Sequence, residues 1–138
     1  CIEIKCDGNN GAALSKRVFE ELDLYEGPYY VESFDPRALW WVRRNRPKVG
    51  RGQLSISAQE PKLLNVVAGL LLMNFAGRPH FIAYDYHTSR KELAVQLCEK
   101  LFGAVAVEWT VTEPERLLEN RALGVTTIFE GFIPEKED

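Results

Sequence analysis

The sequence has few cysteines and no apolar run long enough to cross a membrane. Its cysteines are odd in number and none is part of a CxxC pair, so neither a disulfide framework nor a zinc site is indicated. We expect free, buried or half-buried thiols in a reducing cytoplasm. They are Cys1, Cys6 and Cys98. The longest apolar stretch, residues 63–75, contains Asn65, Gly69 and Asn74 and is shorter than the roughly 18 apolar residues of a membrane span, so it predicts a buried helix.

Basic residues are not in excess. The chain has 17 Lys and Arg residues against 20 Asp and Glu residues, which gives a formal net charge of −3. This balance argues against a nucleic-acid partner, because a protein that holds a phosphate backbone presents a basic surface. It is compatible with a small phosphorylated ligand, which needs only a local cation.

Methionine is nearly absent. The chain of 138 residues begins with Cys1, and its only methionine is Met73. We therefore expect the start of translation to lie upstream, together with any targeting signal or membrane region. For the sequence in hand we expect a cytoplasmic location, with membrane contact only through such an N-terminal region.

Strand and helix patterns alternate along a chain of ordinary globular composition, with 46% hydrophobic and 27% charged residues. Two-residue alternation and short runs of β-favouring residues predict the strands. Apolar residues at helical spacing predict the helices between them. Strands are expected at residues 2–5, 29–31, 49–55, 81–84, 104–110 and 125–129. Helices are expected at about residues 12–25, 36–46, 60–77, 89–102 and 112–122.

Polar residues mark three of the predicted helix starts. The pair Asp35-Pro36 is typical of an N-cap followed by proline at the first helical position. Ser89 with Glu92, and Thr112 with Glu115, have the spacing of a capping box. The charged tail at residues 135–138 is expected to fray.

Strict alternation with short loops predicts an α/β fold in one domain spanning residues 1–138, with about six parallel strands and right-handed crossovers. Two architectures fit this order. One is a complete doubly wound sheet, and the other is most of an eightfold barrel, whose usual size is about 250 residues. Composition does not choose between them.

In either architecture, ligands bind at the C-terminal ends of the strands. Glu3 and Lys5 end the first predicted strand and point to the same face. Two charged side chains on a covered strand face cost free energy unless each has a partner of opposite charge. A divalent cation would be such a partner for the carboxylate, and a phosphate for the ammonium group. The alternative is a solvated strand end or a structural ion pair.

Other strand ends carry weaker candidates. Trp109 could wall a pocket or belong to an ordinary barrel core. Glu32 and Gln53 could hold water or substrate hydroxyls, or could cap the next helix. His87 follows a strand and is a better candidate acid or base than His80, which lies in a turn, although a lone loop histidine is more often solvated. The sequence contains no Walker loop, GxGxxG, HExxH or Ser-His-Asp order.

Six segments, in order and at fitting spacing, resemble one family. They are similar to the "IEIK" strand, the "SF-D-P-x-x-L" segment, the "G-x-L" strand, the strand after it, the "WTV" strand and the closing strand of glycerophosphodiester phosphodiesterases. The segments are residues 2–5, 27–39, 51–55, 78–84, 108–111 and 128–134. The chain departs from the family pattern at Thr112 and at Thr126-Thr127.

The resemblance implies a partial TIM-type (β/α)8 barrel, with this chain supplying roughly its last six strands. It implies hydrolysis of a glycerophosphodiester to glycerol 3-phosphate and an alcohol, with Ca²⁺ or Mg²⁺ as cofactor. It places Glu3 among the metal ligands, Lys5 near the phosphate, and Phe34 and Trp109 on the pocket wall. No residue of this sequence matches the catalytic histidines or the "E-x-D" metal carboxylates of the family, which lie upstream of the "IEIK" strand.

Three hypotheses follow. The first is a truncated phosphodiesterase of lipid metabolism, whose isolated fragment we predict to be inactive. The second is a non-catalytic barrel remnant or binding module, which could self-associate because six strands leave two sheet edges exposed. The third, weaker hypothesis is another phosphodiesterase of the same superfamily, such as a phospholipase D-type enzyme.

Overall fold

The computed structural model describes residues 1–55, 74–87 and 93–134. Within these ranges, strands and helices alternate along the chain. The strands are β1 (Ile2–Glu3), β2 (Tyr30–Ser33), β3 (Gly50–Ser55), β4 (Phe81–Asp85), β5 (Val105–Val111) and β6 (Thr126–Phe129). The helices are α1 (Gly11–Leu22), α2 (Pro36–Asn45), α3 (Leu93–Phe102) and α4 (Pro114–Ala122). Residues 74–77 are also helical.

The strands form one sheet in which every neighbouring pair is parallel and the spatial order is the order along the chain. A doubly wound sheet reverses its strand order at a switch point. A barrel adds each strand beside the one before it. The sequential order therefore decides between the two predicted architectures, and the prediction of a partial (β/α)8 barrel is confirmed.

Side chains alternate between two buried layers. On the outer face, Ile4 and Val31 pack against Phe19 of α1 and Val42 of α2. On the inner face, the buried core consists of Leu54, Ala83 and Val107, with Phe34, Phe81, Trp109 and Ile128 packed against it. Both faces of the parallel strands are thus covered, as such sheets require.

The sheet is strongly curled. Phe34 follows β2 and Trp109 lies in β5, three strand steps away, yet their ring centroids are 5.8 Å apart. In a flat sheet with strands about 4.8 Å apart, they would be separated by roughly 14 Å. Curling brings the inward side chains of distant strands together, so residues from β1 to β6 line one cavity.

Two glycines allow this inner face to close. Tyr30 of β2 and Phe81 of β4 pack edge to face across β3, with ring centroids 6.4 Å apart. A Cβ at Gly52 would lie 2.0 Å from the Phe81 ring, and one at Gly50 would lie 2.4 Å from the Tyr30 ring. Gly50 and Gly52 of β3 therefore leave room for the flanking aromatic rings.

Helix α2 begins as predicted, but α4 does not. The Asp35 carboxylate accepts a hydrogen bond from the backbone N–H of Arg37 at 2.9 Å, with Pro36 in the first helical position. The capping box predicted at Thr112 is wrong, because the N-cap of α4 is Glu113, its side chain makes no capping hydrogen bond, and Pro114 opens the helix. The predictions for residues 60–73, for the Ser89 capping box and for the tail at 135–138 lie outside the described residues.

The cysteines differ in exposure. All three are free, but Cys1 is exposed rather than buried as expected, while Cys6 is half-buried and Cys98 is buried. Cys98 lies in α3 among Ile82 and Tyr84 of the sheet, and Asn74 donates to its Sγ at 3.5 Å. Burial raises the pKa of the Cys98 thiol to about 11.

None of the helices in the described part of the chain has the length and apolar character needed to span a bilayer.

A buried carboxylate ties β5 to the outer layer. Glu108 is 2% exposed, and Arg116 of α4 donates to both of its oxygens at 2.8 and 2.9 Å. Asn120, one turn further along α4, donates to Oε1 at 2.9 Å, and the Tyr84 hydroxyl donates to Oε2 at 3.2 Å. Glu108 is followed by Trp109, whose side chain faces inward. The network therefore also holds in place the part of β5 that carries Trp109.

Removing the Glu108 carboxylate should destabilise the fold. Glu108→Ala removes the acceptor that Arg116, Asn120 and Tyr84 share, and among the described residues leaves Arg116 only Glu119 and Asn120 only Thr127, at an expected cost of about 2–4 kcal/mol in the free energy of unfolding. Urea unfolding measures this cost. The matched control is Glu119→Ala, because Glu119 also pairs with Arg116 but its side chain is 64% exposed. That control should change stability by less than about 0.5 kcal/mol, and equal effects would contradict the role of the network.

The Glu108 carboxylate should also make the free energy of unfolding depend on pH in the acid range. Burial alone would raise the pKa of Glu108, but the hydrogen bonds from Arg116 and Asn120 outweigh it and lower the pKa below the ordinary 4.5. The unfolded chain therefore binds the proton first as pH falls, so this contribution is present above pH 4.5 and is lost below it. Glu108→Gln should give a flatter acid limb in urea unfolding measured at several pH values, and an unchanged limb would contradict this assignment.

Candidate functional site

Two connected depressions lie at the C-terminal ends of the strands. A small cavity of 160 Å³ lies inside the curl of the sheet. A wider cleft of 480 Å³ lies beside it, and Glu3 and Phe34 line both. The small cavity is lined by Glu3, Glu32, Phe34, Leu54, Trp109, Thr110 and Ile128. The structure therefore brings three predicted site residues, Glu3, Phe34 and Trp109, to one place.

Two carboxylates stand side by side in this cavity. Glu3 and Glu32 are register partners in the parallel pairing of β1 with β2. The Oε2 atom of Glu32 is buried and has no hydrogen-bond partner within residues 1–55, 74–87 and 93–134. Burial raises the pKa of Glu32, and the charge of Glu3 raises it further. The positive N-terminus of the chain lowers it in part, so Glu32 is a half-buried acid that faces the inside of the curled sheet.

Lys5 lies at the mouth of the wider cleft. Its Nζ is 3.8 Å from Oε2 of Glu3, and its side chain is 83% exposed. A contact of this length at an exposed group contributes little to stability. The ion pair that the sequence left as an alternative is therefore present, and the ammonium group remains accessible to an anionic ligand.

Arg37 also lines the wider cleft and was not singled out from the sequence. Its Nε donates to Asp35 at 2.8 Å, and its Nη2 donates to the Gly8 carbonyl at 2.6 Å and to Asp35 at 2.9 Å. These bonds tie the loop after β1 to the start of α2. The sequence offered one hint of this role, which is that Arg37 directly follows the Asp35-Pro36 helix start. Its contact with the Gly8 carbonyl becomes visible only in the structure.

The aromatic wall of the cavity has one polar atom. Phe34 and Trp109 pack edge to face at an interplanar angle of 73°. The Nε1 atom of Trp109 is buried and has no hydrogen-bond partner in the part of the chain that the structure describes. The wall is therefore apolar except for one unused donor.

Gln53 does not line the cavity. It is 2% exposed on the outer face of the sheet, where its Nε2 donates to the carbonyls of Ser33 and Phe34, each at 3.1 Å. The Ser33 hydroxyl in turn donates to the Ile4 carbonyl at 2.7 Å. Gln53 thus holds the end of β2 in position, and the idea that it contacts substrate hydroxyls is wrong.

Neither histidine lines this cavity. His80 precedes β4 at the opposite end of the sheet, where its Nδ1 accepts a hydrogen bond from the backbone N–H of Arg51 at 3.2 Å. His87 follows β4 and is exposed, and its backbone N–H donates to Asp85 at 2.8 Å. These positions offer no acid or base to a ligand in the cavity.

The donors of the cavity fit a hard divalent cation in part. The carboxylates of Glu3 and Glu32 are adjacent, Glu32 Oε2 lacks a partner, and carboxylate oxygens are the ligands that Ca²⁺ and Mg²⁺ prefer. Across residues 1–55, 74–87 and 93–134, no group of three or more His, Cys, Asp or Glu side chains is arranged to hold a metal ion. The described residues thus supply only part of a ligand set.

Comparison with known proteins finds similarity in structure. No family model matches the sequence, and no curated protein matches it. A glycerophosphodiester phosphodiesterase from Parabacteroides distasonis is 19% identical with a TM-score of 0.65, and the match covers 92% of this chain and 50% of that one. A putative glycerophosphoryl diester phosphodiesterase from Silicibacter pomeroyi is 21% identical with a TM-score of 0.62, over 92% and 46% of the two chains.

A third structure is a phosphodiesterase from Oleispira antarctica in complex with sn-glycerol 3-phosphate. It is 15% identical with a TM-score of 0.64, over 92% of this chain and 49% of that one. At these identities the three matches establish a shared fold, the one that the sequence resemblance implied. The chain spans about half the length of the solved structures that it matches.

The contact between Phe34 and Trp109 should be measurable as a coupling. Replacing each residue by leucine, singly and together, should give a coupling free energy of about 0.5–1.5 kcal/mol in urea unfolding, because edge-to-face rings attract beyond the area they bury. The pair Phe75 and Phe102, with centroids 5.2 Å apart and away from the cavity, is a matched positive control. A coupling free energy near zero for Phe34 and Trp109, with a normal value for the control pair, would contradict the curled geometry.

Proposed function

We propose that this chain is the C-terminal half of a metal-dependent glycerophosphodiester phosphodiesterase, which hydrolyses its substrate to glycerol 3-phosphate and an alcohol. One observation carries the proposal. The fold matches three solved phosphodiesterases, and Glu3, Phe34 and Trp109 meet at the end of the strands where a barrel of this type binds its ligand. One of those phosphodiesterases was solved with glycerol 3-phosphate, which supports a small phosphorylated ligand here.

In this proposal each residue has one task. The Glu3 carboxylate helps to hold Ca²⁺ or Mg²⁺, beside the unpaired Glu32. When bound, the cation offsets phosphate charge and activates the attacking oxygen. Lys5 attracts and orients the phosphate from the mouth of the cleft, because its ammonium group is accessible. Phe34 and Trp109 exclude water from the carbon chain of the substrate.

Proton transfer needs groups that we assign to a part of the protein outside this sequence. His80 and His87 do not line the cavity, and the chain spans about half the length of the structures that it matches. We therefore propose that the acid, the base and the remaining metal ligands come from the other half of the barrel. The isolated 138-residue chain is then inactive.

Hydrolysis of glycerophosphocholine with Ca²⁺ or Mg²⁺ tests this proposal. The longer protein that contains this chain should release glycerol 3-phosphate, and the chain by itself should not. In the longer protein, Glu3→Ala should lower kcat/KM at least about 100-fold, because the charge that develops on the phosphate loses its counter-charge. A chelator should abolish turnover, and added metal should restore it.

The matched control is Glu119→Ala, which removes an exposed carboxylate from α4 and should leave turnover unchanged. Turnover by the short chain would contradict the assignment of the catalytic groups, and His87 would then be reconsidered. Absence of turnover in both forms, on every glycerophosphodiester tried, would favour the non-catalytic binding module.

A further inference from the structure

The small cavity contains two opposite polar groups that no described residue of the chain satisfies. Glu32 offers an unused acceptor at Oε2, and Trp109 offers an unused donor at Nε1. Both atoms are buried, and both residues line the same 160 Å³ space. A cation held by Glu3 could use the Glu32 oxygen, but it leaves the Trp109 donor without a partner.

Unsatisfied buried polar atoms are costly. A buried donor or acceptor without a partner loses about 1–3 kcal/mol, and native proteins keep few of them. Elsewhere on the same strand the chain satisfies such groups fully, as the four hydrogen bonds to the Glu108 carboxylate show. Among the described residues Gln53 Oε1 and Asn74 Oδ1 are also buried without a partner, but neither residue lines this cavity. An unpaired acceptor and an unpaired donor that share one cavity indicate a ligand that completes both.

The chemistry of the two atoms selects the ligand. A metal ion satisfies the carboxylate but cannot accept the indole N–H. An alkyl chain satisfies neither. A hydroxyl group is both donor and acceptor, so a molecule with hydroxyl groups can serve both atoms. The cavity of 160 Å³ also has much more room than the about 15 Å³ that one water requires.

We propose that Glu32 and Trp109 form a polyol-recognition pair, in which Glu32 Oε2 accepts a hydrogen bond from one ligand hydroxyl and Trp109 Nε1 donates to a ligand hydroxyl oxygen. Phe34 packs against the carbon chain between them. Glu32 is then the residue that determines specificity for a hydroxylated ligand over its deoxy analogue. The inference rests on the proposed function only in identifying the polyol with the glycerol part of a phosphodiester.

Binding, rather than turnover, tests the pair. The probes are glycerol 3-phosphate and propyl phosphate, which lacks both hydroxyls. The readout is the indole N–H region of the ¹H–¹⁵N spectrum of the 138-residue chain, which has three tryptophans. Trp109→Phe identifies the Trp109 signal, and Trp40 and Trp41 are internal references. Glycerol 3-phosphate should shift the Trp109 signal and bind at least about tenfold more tightly than propyl phosphate.

Variants at position 32 separate recognition from folding. Glu32→Met keeps the length of the side chain but removes the acceptor, so the two probes should bind equally. Glu32→Gln keeps one carbonyl acceptor and should retain part of the discrimination. Loss of the buried, unpaired Oε2 atom should stabilise the fold in urea, so weaker binding by Glu32→Met would not result from unfolding. Glu21→Met, at an exposed position of α1, should leave discrimination unchanged.

Several outcomes overturn the inference. Equal binding of both probes by the unchanged chain, or a Trp109 signal that neither probe shifts, contradicts hydroxyl recognition. A Glu32→Met variant that weakens both probes equally assigns Glu32 a structural or general electrostatic role instead. Failure of hydrolysis in the longer protein, with discrimination intact here, overturns the proposed function and leaves the polyol pair standing.

Discussion

The fold depends on one constraint, which is that each parallel strand must bury both of its faces. The two-residue period sends alternate side chains to an outer layer of helices and to an inner aromatic core. In β2 this places Val31 under the helices and Glu32 inside the curl. Charged residues on such strands are matched by partners, as Glu108 is, or left for a ligand, as we propose for Glu32. The candidate site thus arises from the same alternation that builds the core.

Neighbouring residues of β5 show how the two layers are linked. Glu108 points outward into the network with Arg116 and Asn120, and Trp109 points inward to Phe34. Because the outer contacts hold the backbone of β5 in place, they also fix the position of its inward side chain. Gln53 has the same effect on β2, because it binds the carbonyls of Ser33 and Phe34 from the outer face. Residues outside the cavity therefore position those that line it.

Local patterns predicted the strands and the start of α2, because these depend on residues near one another in sequence. Glu3 and Trp109 were candidates from their positions at strand ends, and Phe34 from the family resemblance, and the structure brings the three to one cavity. Thr112 was misassigned, since the proline after Glu113 sets the helix start more strongly than capping-box spacing. The Glu108 network was missed because its partners join two elements, although Arg116 and Asn120, four residues apart, share a helix face. The glycines of β3 could be explained only once the rings of Tyr30 and Phe81 were seen on either side.

The burial of Cys98 gives the chain an internal reporter of its own opening. With its pKa raised to about 11, the thiol carries almost no thiolate at neutral pH, and alkylating or oxidising reagents react through the thiolate. Reaction at this position therefore requires α3 to separate from β4 and β5, whereas the exposed Cys1 reacts in the closed fold. The rate at which a thiol reagent modifies Cys98, compared with its rate at Cys1, therefore measures how often α3 separates from the sheet. No engineered label is needed.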